Sequence, residues 1–520
     1  MKEHAIYWLK RDFRLTDNPA LTTALEQHET VTPLYILEPS FLRAPETSAF
    51  HLHAVTTAIA DLRFRLQKHA TDLAIIEGET IETLDRLYER QAFKYLYSHE
   101  EIGVERTFAR DRAVKRWCET KGVIWTELPQ TGVFRRLKDR NQRSRLWKKF
   151  TLGELLPEPL AVDLRRLRTP AVWQDLTYAP RKPLTMADTG YALSDVQQEL
   201  VQPVSETAGR ITLETFLYDR SIAYRGGISS PLKAFTAGSR LSVHLAWGTI
   251  TGRYAYQKTQ ARIQELKQDD APPNAGRWRS SLTSFLSRLH WRDHFIQRLE
   301  SESQMEFETL NPAYQNLEYI DDPERFERWT TGYTGWPMVD ACVRCLLTTG
   351  FVNFRMRAML TSAACHSLQI HWKKLDHPMA RMYTDYEPGI HLSQLQMQAS
   401  VVGINTIRIY SPTKQIIDQD PEAEFIKQWI PELRDYTAKE IIQHAEDPLL
   451  GYPAPLVDWR VSSKEMRNKL WAIRKQPETR EIASQVYEKH GSRKGPSSRR
   501  RTSTAKSKTS PKATVVSVAG

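Results

Sequence analysis

Five short apolar segments alternate with helical segments near the start of this chain. The apolar segments, rich in β-branched and aromatic residues, are AIYWLK, VTPLYIL, TDLAIIEG, KYLYSH and VIWTEL. The segments between them, LTTALEQ, HAVTTAIADLRFRLQKH, TIETLDRLYERQ and residues 105–120, have apolar residues at helical spacing. Strand–helix alternation is typical of a parallel sheet, so we predict a doubly wound, Rossmann-like α/β domain over residues 1–130. No GxGxxG follows the first strand, which argues against a standard dinucleotide site there.

The pattern changes after this domain. Six prolines interrupt residues 131–205, so we predict a long connection between domains. Strand signals nearly vanish from residue 206 onward. Apolar spacing of i, i+3, i+4 marks residues 281–300, 337–349, 353–372 and 421–431. We therefore predict an all-helical domain over residues 206–485.

The charge of the chain is concentrated at its C-terminal end. The net charge is +11, but residues 491–520 hold eight Lys/Arg and no Asp or Glu, which leaves +3 for the rest. Their Ser/Thr/Pro/Gly-rich composition favours a disordered basic tail, which we place at residues 486–520. Such a tail either keeps the protein soluble or tethers it to phosphates without sequence preference.

Composition also indicates the compartment. No apolar run is long enough to span a bilayer, and the charged start MKEHAIYWLKRDFRLTD lacks the apolar core of a signal peptide. Four cysteines in 520 residues favour a reducing compartment over a disulfide framework. We expect a monomer without membrane contact, in the cytoplasm, or in the nucleus if the organism is eukaryotic.

Two segments of the helical region suit an anionic ligand with flat rings. In GSRLSVHLAWGTIT, residues 238–251, Ser242 is a plausible N-cap, and free amides at a helix start could bind a pyrophosphate. Ordinary capping is the alternative. In SFLSRLHWRDHFIQRLE, two arginines and two aromatic residues share one helical face: Arg288, Trp291, Arg292 and Phe295. This face suits phosphates and flat rings, or else belongs to a salt-bridged surface helix.

A third segment places two arginines, Arg355 and Arg357, in an otherwise apolar helix. Buried arginines need carboxylate or phosphate partners, for which Asp385 and Glu387 are candidates. The pair Cys342 and Cys345 fits two small core residues better than a zinc site, because no second CxxC is present.

The segment DYEPGIHLSQLQMQ, residues 385–398, holds Asp385, Glu387 and His391 around Pro388-Gly389. These three side chains could ligate a metal, line a cofactor pocket or form a solvated turn. We predict no metal, because the nearest other histidines form no standard ligand pair and the nearby arginines would repel a cation.

Several long motifs in order resemble the photolyase/cryptochrome family over roughly residues 4–435. They are YWLKRDFRLTDNPAL, SRLS, WR on the arginine-bearing helix, TGWP-x-VDA followed by TG, and RIYSPTKQ…EFIKQWIPEL. The resemblance implies an α/β domain that in many members holds an antenna chromophore, and a helical domain that binds FAD. A folate, a deazaflavin, a second flavin or nothing could occupy the antenna site, near His51 and His53.

The resemblance also implies what the protein does. It would be a deoxyribodipyrimidine photolyase, in which the excited reduced flavin donates an electron to a cyclobutane pyrimidine dimer in UV-damaged DNA and the lesion splits. The alternative is a cryptochrome-like blue-light photoreceptor without repair activity.

Carried over from the family, twelve positions would contact FAD. They are Tyr224, Gly238, Ser239, Arg240, Leu241, Ser242, Arg292, Arg357, Asp385, Tyr386, Glu387 and His391. Asp385 would pair with Arg357. His391 would face flavin N5, where an imidazole could exchange a proton as the flavin changes redox state.

The resemblance places further residues at the DNA and in the electron relay, with departures from the family pattern. The predicted DNA contacts are Arg288, Trp291, Phe354, Arg355, Met397 and Arg408. Trp291 keeps one aromatic wall of the lesion pocket, whereas Met397 replaces the second. Trp372 matches the middle tryptophan of the relay, but Leu395 occupies the flavin-proximal position, so we predict slow photoreduction or another route. The predicted catalytic residues are His391, Trp291, Arg288 and Trp372.

Overall fold

A parallel five-stranded sheet forms the centre of the N-terminal domain in the computed structural model, which describes residues 4–178 and 184–491. The strands are β1 (His4–Leu9), β2 (Thr30–Leu37), β3 (Ala74–Glu77), β4 (Tyr95–His99) and β5 (Ile124–Leu128). Their order is β3-β2-β1-β4-β5, and every neighbouring pair is parallel. The predicted doubly wound α/β domain is confirmed.

Helices cover both faces of this sheet. They are α1 (Pro19–Gln27), α2 (Pro39–Leu42), α3 (Ala49–Gln67), α4 (Thr80–Arg90) and α5 (Glu105–Lys121). Alternate residues of β1 belong to two separate hydrophobic cores, with Tyr7 and Leu9 on one face of the sheet and Ile6 and Trp8 on the other. This explains why β1 is an almost continuous apolar run.

The connecting segment packs against both domains, because its first and last helices contact the helical domain and its middle part contacts the α/β domain. It contains α6 (Arg143–Thr151), α7 (Ala161–Leu164) and α8 (Asp195–Leu200). Leu164 and Leu167 belong to one core of the α/β domain, and Trp173 belongs to the other. The indole Nε1 of Trp173 donates to the Leu87 carbonyl at 3.0 Å. The middle of this segment therefore completes the cores of the α/β domain.

The rest of the described chain is helical, as predicted. Its helices are α9 (Glu206–Thr215), α10 (Tyr224–Gly227), α11 (Ala234–Ala237), α12 (Ser242–Ala246), α13 (Gly252–Glu265), α14 (Ala275–Ser301), α15 (Pro323–Thr331), α16 (Pro337–Thr349), α17 (Phe354–Ser362), α18 (Trp372–Met382), α19 (Pro388–Gln398), α20 (Pro412–Gln419), α21 (Glu424–Trp429), α22 (Ala438–Gln443), α23 (Trp459–Lys475) and α24 (Pro477–His490). Cys342 and Cys345 lie fully buried in the main core as free thiols.

The apolar spacing over residues 353–372 covers two helices instead of one. After α17 one π-helical turn covers Ala363–Ser367, and the chain then turns through Gln369, whose φ is 55°. His371 caps α18 by accepting a hydrogen bond from the Lys373 amide, so Trp372 begins a new helix. The apolar spacing continues across this break because both helices pack into the same core.

The last described helix runs to His490, so the first residues of the predicted tail, 486–520, are helical. Residues 492–520 of that tail lie outside the described residues. None of the helices in the described part of the chain is long and apolar enough to cross a bilayer.

The segment that follows β1 enters the helical domain. Arg14 Nη1 donates to the Gly248 carbonyl at 2.8 Å, and Arg253 Nε donates to Asp17 Oδ1 at 2.9 Å. Gly248 has a φ of 66°, and a Cβ there would overlap the carbonyl oxygen of Arg11. Only glycine allows this approach, so the two domains are in direct backbone contact at Arg11 and Gly248.

Buried histidines make the fold sensitive to acid. His51, His244 and His366 are at most 1% exposed, and burial lowers the pKa of each to about 4. Since the unfolded chain takes up protons near pH 6.5, stability falls as pH falls from about 6.5 to 4, by about 2 kcal/mol per histidine between pH 7 and 5. Urea unfolding at the two pH values measures this loss.

Two variants control this prediction. His366→Gln should reduce the pH dependence of the unfolding free energy, whereas His377→Gln should not, because the side chain of His377 is 47% exposed. An unfolding free energy that is equal at pH 7 and pH 5 would contradict the prediction.

Candidate functional site

A largely buried ion pair joins α17 to the segment before α19. Arg357 Nη1 and Nη2 donate to the two carboxylate oxygens of Asp385 at 2.9 and 3.1 Å. Burial alone would raise the pKa of Asp385, but Arg357 lowers it below the ordinary value, and Asp385 in turn raises the pKa of Arg357. Both groups are therefore charged at neutral pH. The pairing predicted from the sequence is confirmed.

Ser242 lies beside this pair and is open to solvent. It is exposed, although Leu241 and Val243 on either side are buried. A hydrogen bond from Ser242 helps to lower the pKa of Asp385. The predicted N-cap role of Ser242 is wrong, because Leu241 is the N-cap of α12 and Ser242 is the first helical residue. The Ser242 hydroxyl is thus directed towards the ion pair instead of capping its own helix.

Arg240 brings a further positive charge to the same place. Its guanidinium lies 3.5 Å from the ring centroid of Phe351, and its buried Nη1 has no hydrogen-bond partner among the described residues. Burial lowers the pKa of Arg240 to about 10, which still leaves it charged at neutral pH. A charged group with an unused donor suits an anionic ligand such as a diphosphate.

A second ion pair joins α14 to the residue before α19. Arg292 Nη2 lies 3.3 Å from Glu387 Oε2, and the same nitrogen donates to the Leu245 carbonyl at 2.9 Å. Burial raises the pKa of Glu387 despite the charge of Arg292. Both side chains line an interdomain cleft of about 540 Å³ that is open to solvent, together with Arg11 and Gln130.

His391 lies one aromatic ring away from the Arg357–Asp385 pair. Its Nε2 is 3.0 Å from the Asp376 carbonyl oxygen and 3.1 Å from Asp376 Oδ1. The ring of Tyr383 contacts His391 at a centroid distance of 6.2 Å and lies 4.2 Å from the guanidinium carbon of Arg357. Burial would raise the pKa of Asp376, but the hydrogen bond and charge of His391 lower it to about 2. No pattern in the sequence indicated Asp376 as the partner of His391.

Two family models match this chain. Residues 5–151 match the DNA photolyase model, and residues 285–472 match the model of the FAD binding domain of DNA photolyase. Together the matches span more than half of the sequence. The chain belongs to the photolyase/cryptochrome family.

Similar proteins include both kinds of member. A cryptochrome DASH of Gloeobacter violaceus is 27% identical, over 87% of this chain and 93% of the relative. A deoxyribodipyrimidine photo-lyase of Synechococcus sp. is 25% identical, over 91% of this chain and 98% of the relative. The fold is that of a bacterial class III photolyase from Agrobacterium tumefaciens, with a TM-score of 0.77 at 22% identity over 92% of this chain and 98% of the other.

FAD is the cofactor of the C-terminal domain in this photolyase/cryptochrome protein. The residues present fit FAD in two respects. Ser242 is exposed between buried neighbours, and the buried Nη1 of Arg240 has no partner in the described chain. Hydroxyl and guanidinium donors of this kind suit a diphosphate, and the charged pairs beside them suit the polar edge of a flavin.

Tyr386 connects this site to a crevice in the α/β domain. Its ring stacks on His51 at a centroid distance of 5.6 Å, and its carbonyl accepts from Arg11 Nη2 at 2.8 Å. The crevice, of about 710 Å³ and open to solvent, lies at the carboxyl ends of the strands and is lined by Trp8 and Tyr35 as well. Ligands of doubly wound sheets bind at this edge of the sheet.

The helices that carry the predicted DNA contacts surround α19. Both α14 and α17 pack on it, and a Cβ on Gly389 would lie 2.5 Å from the Cα of Ile296. This close approach explains the Pro-Gly pair at the start of α19. On α14, Trp291 is half-buried and stacks on Phe295 at 5.7 Å, whereas Arg288 is exposed.

The other predicted DNA contacts differ in exposure. Phe354 is 57% exposed, Arg408 is exposed and Arg355 is half-buried. Met397 is half-buried and packs in a small apolar cluster that includes Leu392. Phe354, Arg355 and Arg408 therefore present aromatic or charged surface to solvent. Met397 packs partly against apolar residues of the protein.

Trp372 lies in the core, 1% exposed. It stacks on His371 at 5.8 Å, and His371 contacts the ring of Tyr319 at 4.8 Å. Leu395 is 2% exposed in the same core. Among the residues that the structure describes, no three His, Cys, Asp or Glu side chains come together as a metal site.

Proposed function

We propose that this protein repairs DNA by splitting cyclobutane pyrimidine dimers under blue light. One observation carries this proposal: Trp291 and Phe354 both reach solvent on the two helices that flank α19, with Arg288 and Arg355 beside them. An aromatic face between cations is what a flipped base and its phosphates require. Phe354 precedes Arg357 by three residues on α17, so this surface adjoins the Arg357–Asp385 pair.

The residues around the Arg357–Asp385 pair would hold FAD in a fixed orientation. We assign the diphosphate to Gly238, Ser239, Arg240, Leu241 and Ser242, and the flavin edge to the Arg357–Asp385 pair. When bound, FAD supplies the photoexcited electron donor. Because Arg357 and Asp385 satisfy each other, they add no net charge to the buried site.

The remaining predicted cofactor contacts have supporting roles. The Arg292–Glu387 pair lines the interdomain cleft, and Tyr386 forms the wall towards the α/β crevice. Tyr224 is buried beside Arg288, and burial raises its pKa to about 12, so it stays a neutral hydrogen-bond donor. His391 and Asp376 would set the polarity near the flavin edge, because the ring of Tyr383 connects His391 with Arg357.

A repair assay tests the proposal. The purified protein with reduced FAD is mixed with an oligonucleotide that contains one thymine dimer and is exposed to blue light. Loss of the dimer, followed by chromatography, is the expected result, with a dark sample as control. A flavin-loaded protein that leaves the dimer intact in the light would overturn it.

A cryptochrome-like photoreceptor is the second candidate. The observation in its favour is that Met397, at the position of the second aromatic wall, packs into an apolar cluster instead of opening a stacking surface. In the same assay this function predicts light-dependent change of the flavin absorbance without loss of the dimer.

Leu395 also predicts how electrons reach the flavin. A leucine cannot be oxidised to a radical. Trp372 therefore lacks the aromatic residue that would pass an electron from it to the flavin. We expect Trp372→Phe to change the rate of flavin photoreduction by less than about twofold. Absorbance at the flavin maximum under blue light, with an added reductant, measures that rate.

Tyr383→Phe is the matched comparison, because the Tyr383 ring lies 4.2 Å from the guanidinium carbon of Arg357 and is a candidate for an alternative electron donor. A drop of tenfold or more in Trp372→Phe, about 1.4 kcal/mol in barrier, would show that Trp372 carries the electron after all.

A further inference from the structure

Arg298 on α14 is a buried guanidinium with no acid paired to it in the described part of the chain. It is 2% exposed, and its Nε and Nη1 have no hydrogen-bond partner among the described residues. Its guanidinium carbon lies 5.6 Å from the ring centroid of Phe295. Arg292 on the same helix pairs with two carboxylates, so the lack of one at Arg298 is specific to this position. A buried charge without a counter-ion is costly.

Further cationic and imidazole groups surround Arg298. We call the set of Arg140, Arg143, His290, His294, Arg298 and His490 the cation cluster. His290, His294 and Arg298 recur every fourth residue and so share one face of α14. Arg140 Nη2 lies 2.8 Å from His294 Nδ1, and Arg143 Nη1 lies 3.1 Å from His290 Nε2. Three separate parts of the chain thus converge on this face.

The acids near the cation cluster contact groups other than Arg298. Asp293 binds Arg292 at 2.8 Å and the indole of Trp147 at 2.8 Å. Glu300 accepts from the Arg136 amide at 2.7 Å and from Gln297 at 2.9 Å. Glu302 pairs with Lys489 and lies 3.6 Å from His490 Nε2. The carboxylates of all three thus serve groups other than Arg298.

The charges of the cation cluster act on one another. Burial, then Arg140 and Arg298, lowers the pKa of His294 to about 2, and burial with the same arginines lowers that of His490 to about 3. Burial lowers the pKa of Arg298 only to about 10. At neutral pH the imidazoles are therefore neutral while Arg298 stays charged. Within the described chain, the Nε and Nη1 donors of Arg298 have no hydrogen-bond acceptor.

We propose that the cation cluster binds a phosphate group, with Arg298 as its central ligand. A guanidinium fork matches two phosphate oxygens, and Arg140 and Arg143 add positive charge at the same face of α14. The phosphate comes either from the free anion or from a nucleic-acid backbone. Trp291 lies seven residues before Arg298, about 10 Å along the helix, so a strand stacked on Trp291 has phosphates within reach.

Thermal unfolding of the full-length, FAD-loaded protein tests the site with inorganic phosphate as the probe. Sodium phosphate is compared with sodium chloride at equal ionic strength. We expect phosphate to raise the Tm of the wild type by about 2 °C or more. Arg298→Met should abolish this rise while leaving the Tm in chloride unchanged or higher, because it removes an uncompensated charge. Arg277→Met, an exposed arginine of the same helix, should keep the rise.

The result that overturns the proposal is an equal Tm in phosphate and chloride for the wild type, or an equal phosphate effect in Arg298→Met. Should that variant fail to fold, Arg140→Met and ³¹P NMR line broadening of phosphate with the wild type give the same test. Broadening that Arg140→Met removes and Arg277→Met keeps supports the site, and no broadening overturns it.

Fluorescence anisotropy with an undamaged oligonucleotide distinguishes the two sources. If affinity falls tenfold or more in Arg298→Met and phosphate competes with the oligonucleotide, the site receives a backbone phosphate. If affinity is unchanged while the phosphate effect on Tm is lost, the site receives the free anion. These outcomes do not depend on light or on dimer repair, so failure of the repair assay leaves the proposal standing.

Discussion

Replacing Asp385 with asparagine should yield a protein that purifies almost without flavin. The carboxamide would keep the shape of the side chain but leave the Arg357 guanidinium, now bound at 2.9 and 3.1 Å, without a counter-charge. Breaking a buried ion pair on one side costs about 3–5 kcal/mol. We expect flavin absorbance per mole of protein to fall by tenfold or more, which spectra of the purified protein measure.

An exposed acid offers a control for this experiment. The side chain of Asp321 is 81% exposed and pairs with Lys374 at the surface, where ion pairs contribute little. Asp321→Asn should keep its full flavin content and thermal stability. If Asp385→Asn also kept its flavin, the ion pair would not hold the cofactor, and our assignment of the FAD site would be wrong.

Trp291→Ala should lose affinity for dimer-containing DNA while keeping its flavin. Stacking of a base on an aromatic side chain contributes about 1–3 kcal/mol, so we expect affinity to fall by about tenfold to a hundredfold. Fluorescence anisotropy with a thymine-dimer oligonucleotide measures the affinity, and the visible spectrum checks the flavin.

Trp471 provides the matched tryptophan, because it is 42% exposed on α23 and has no predicted role. Trp471→Ala should bind the oligonucleotide like the wild type. Unchanged affinity in Trp291→Ala would place the lesion elsewhere and would favour the photoreceptor function.

The α/β domain was predictable because its signals are local. Each strand is a short apolar run, and β1 is apolar on both faces since both are covered. The order of the strands was not predictable, because it depends on pairings between segments far apart in sequence. The apolar spacing over 353–372 did not reveal the break at Gln369, because its positive φ occurs at neither a glycine nor an asparagine.

The candidate site was predictable only in part. The Arg357–Asp385 pair followed from the need of a buried arginine for an acid together with the family resemblance. The position of Arg240 over Phe351 and the contact of Asp376 with His391 join segments that are distant in sequence. No spacing rule connects such segments. The charge of Arg298 was visible in the sequence, but its lack of an acid among the described residues is a property of the packed structure.

The backbone contact between Arg11 and Gly248 has a consequence for the evolution and engineering of this chain. The segment that leaves β1 supplies Arg11 and Arg14 to the second domain, and Arg11 holds the Tyr386 carbonyl beside the ion pair. A foreign light-harvesting module therefore cannot be grafted in front of the helical half by matching the sheet alone. The graft must also reproduce the few residues after its first strand, since they help to build the chamber in which the chemistry takes place.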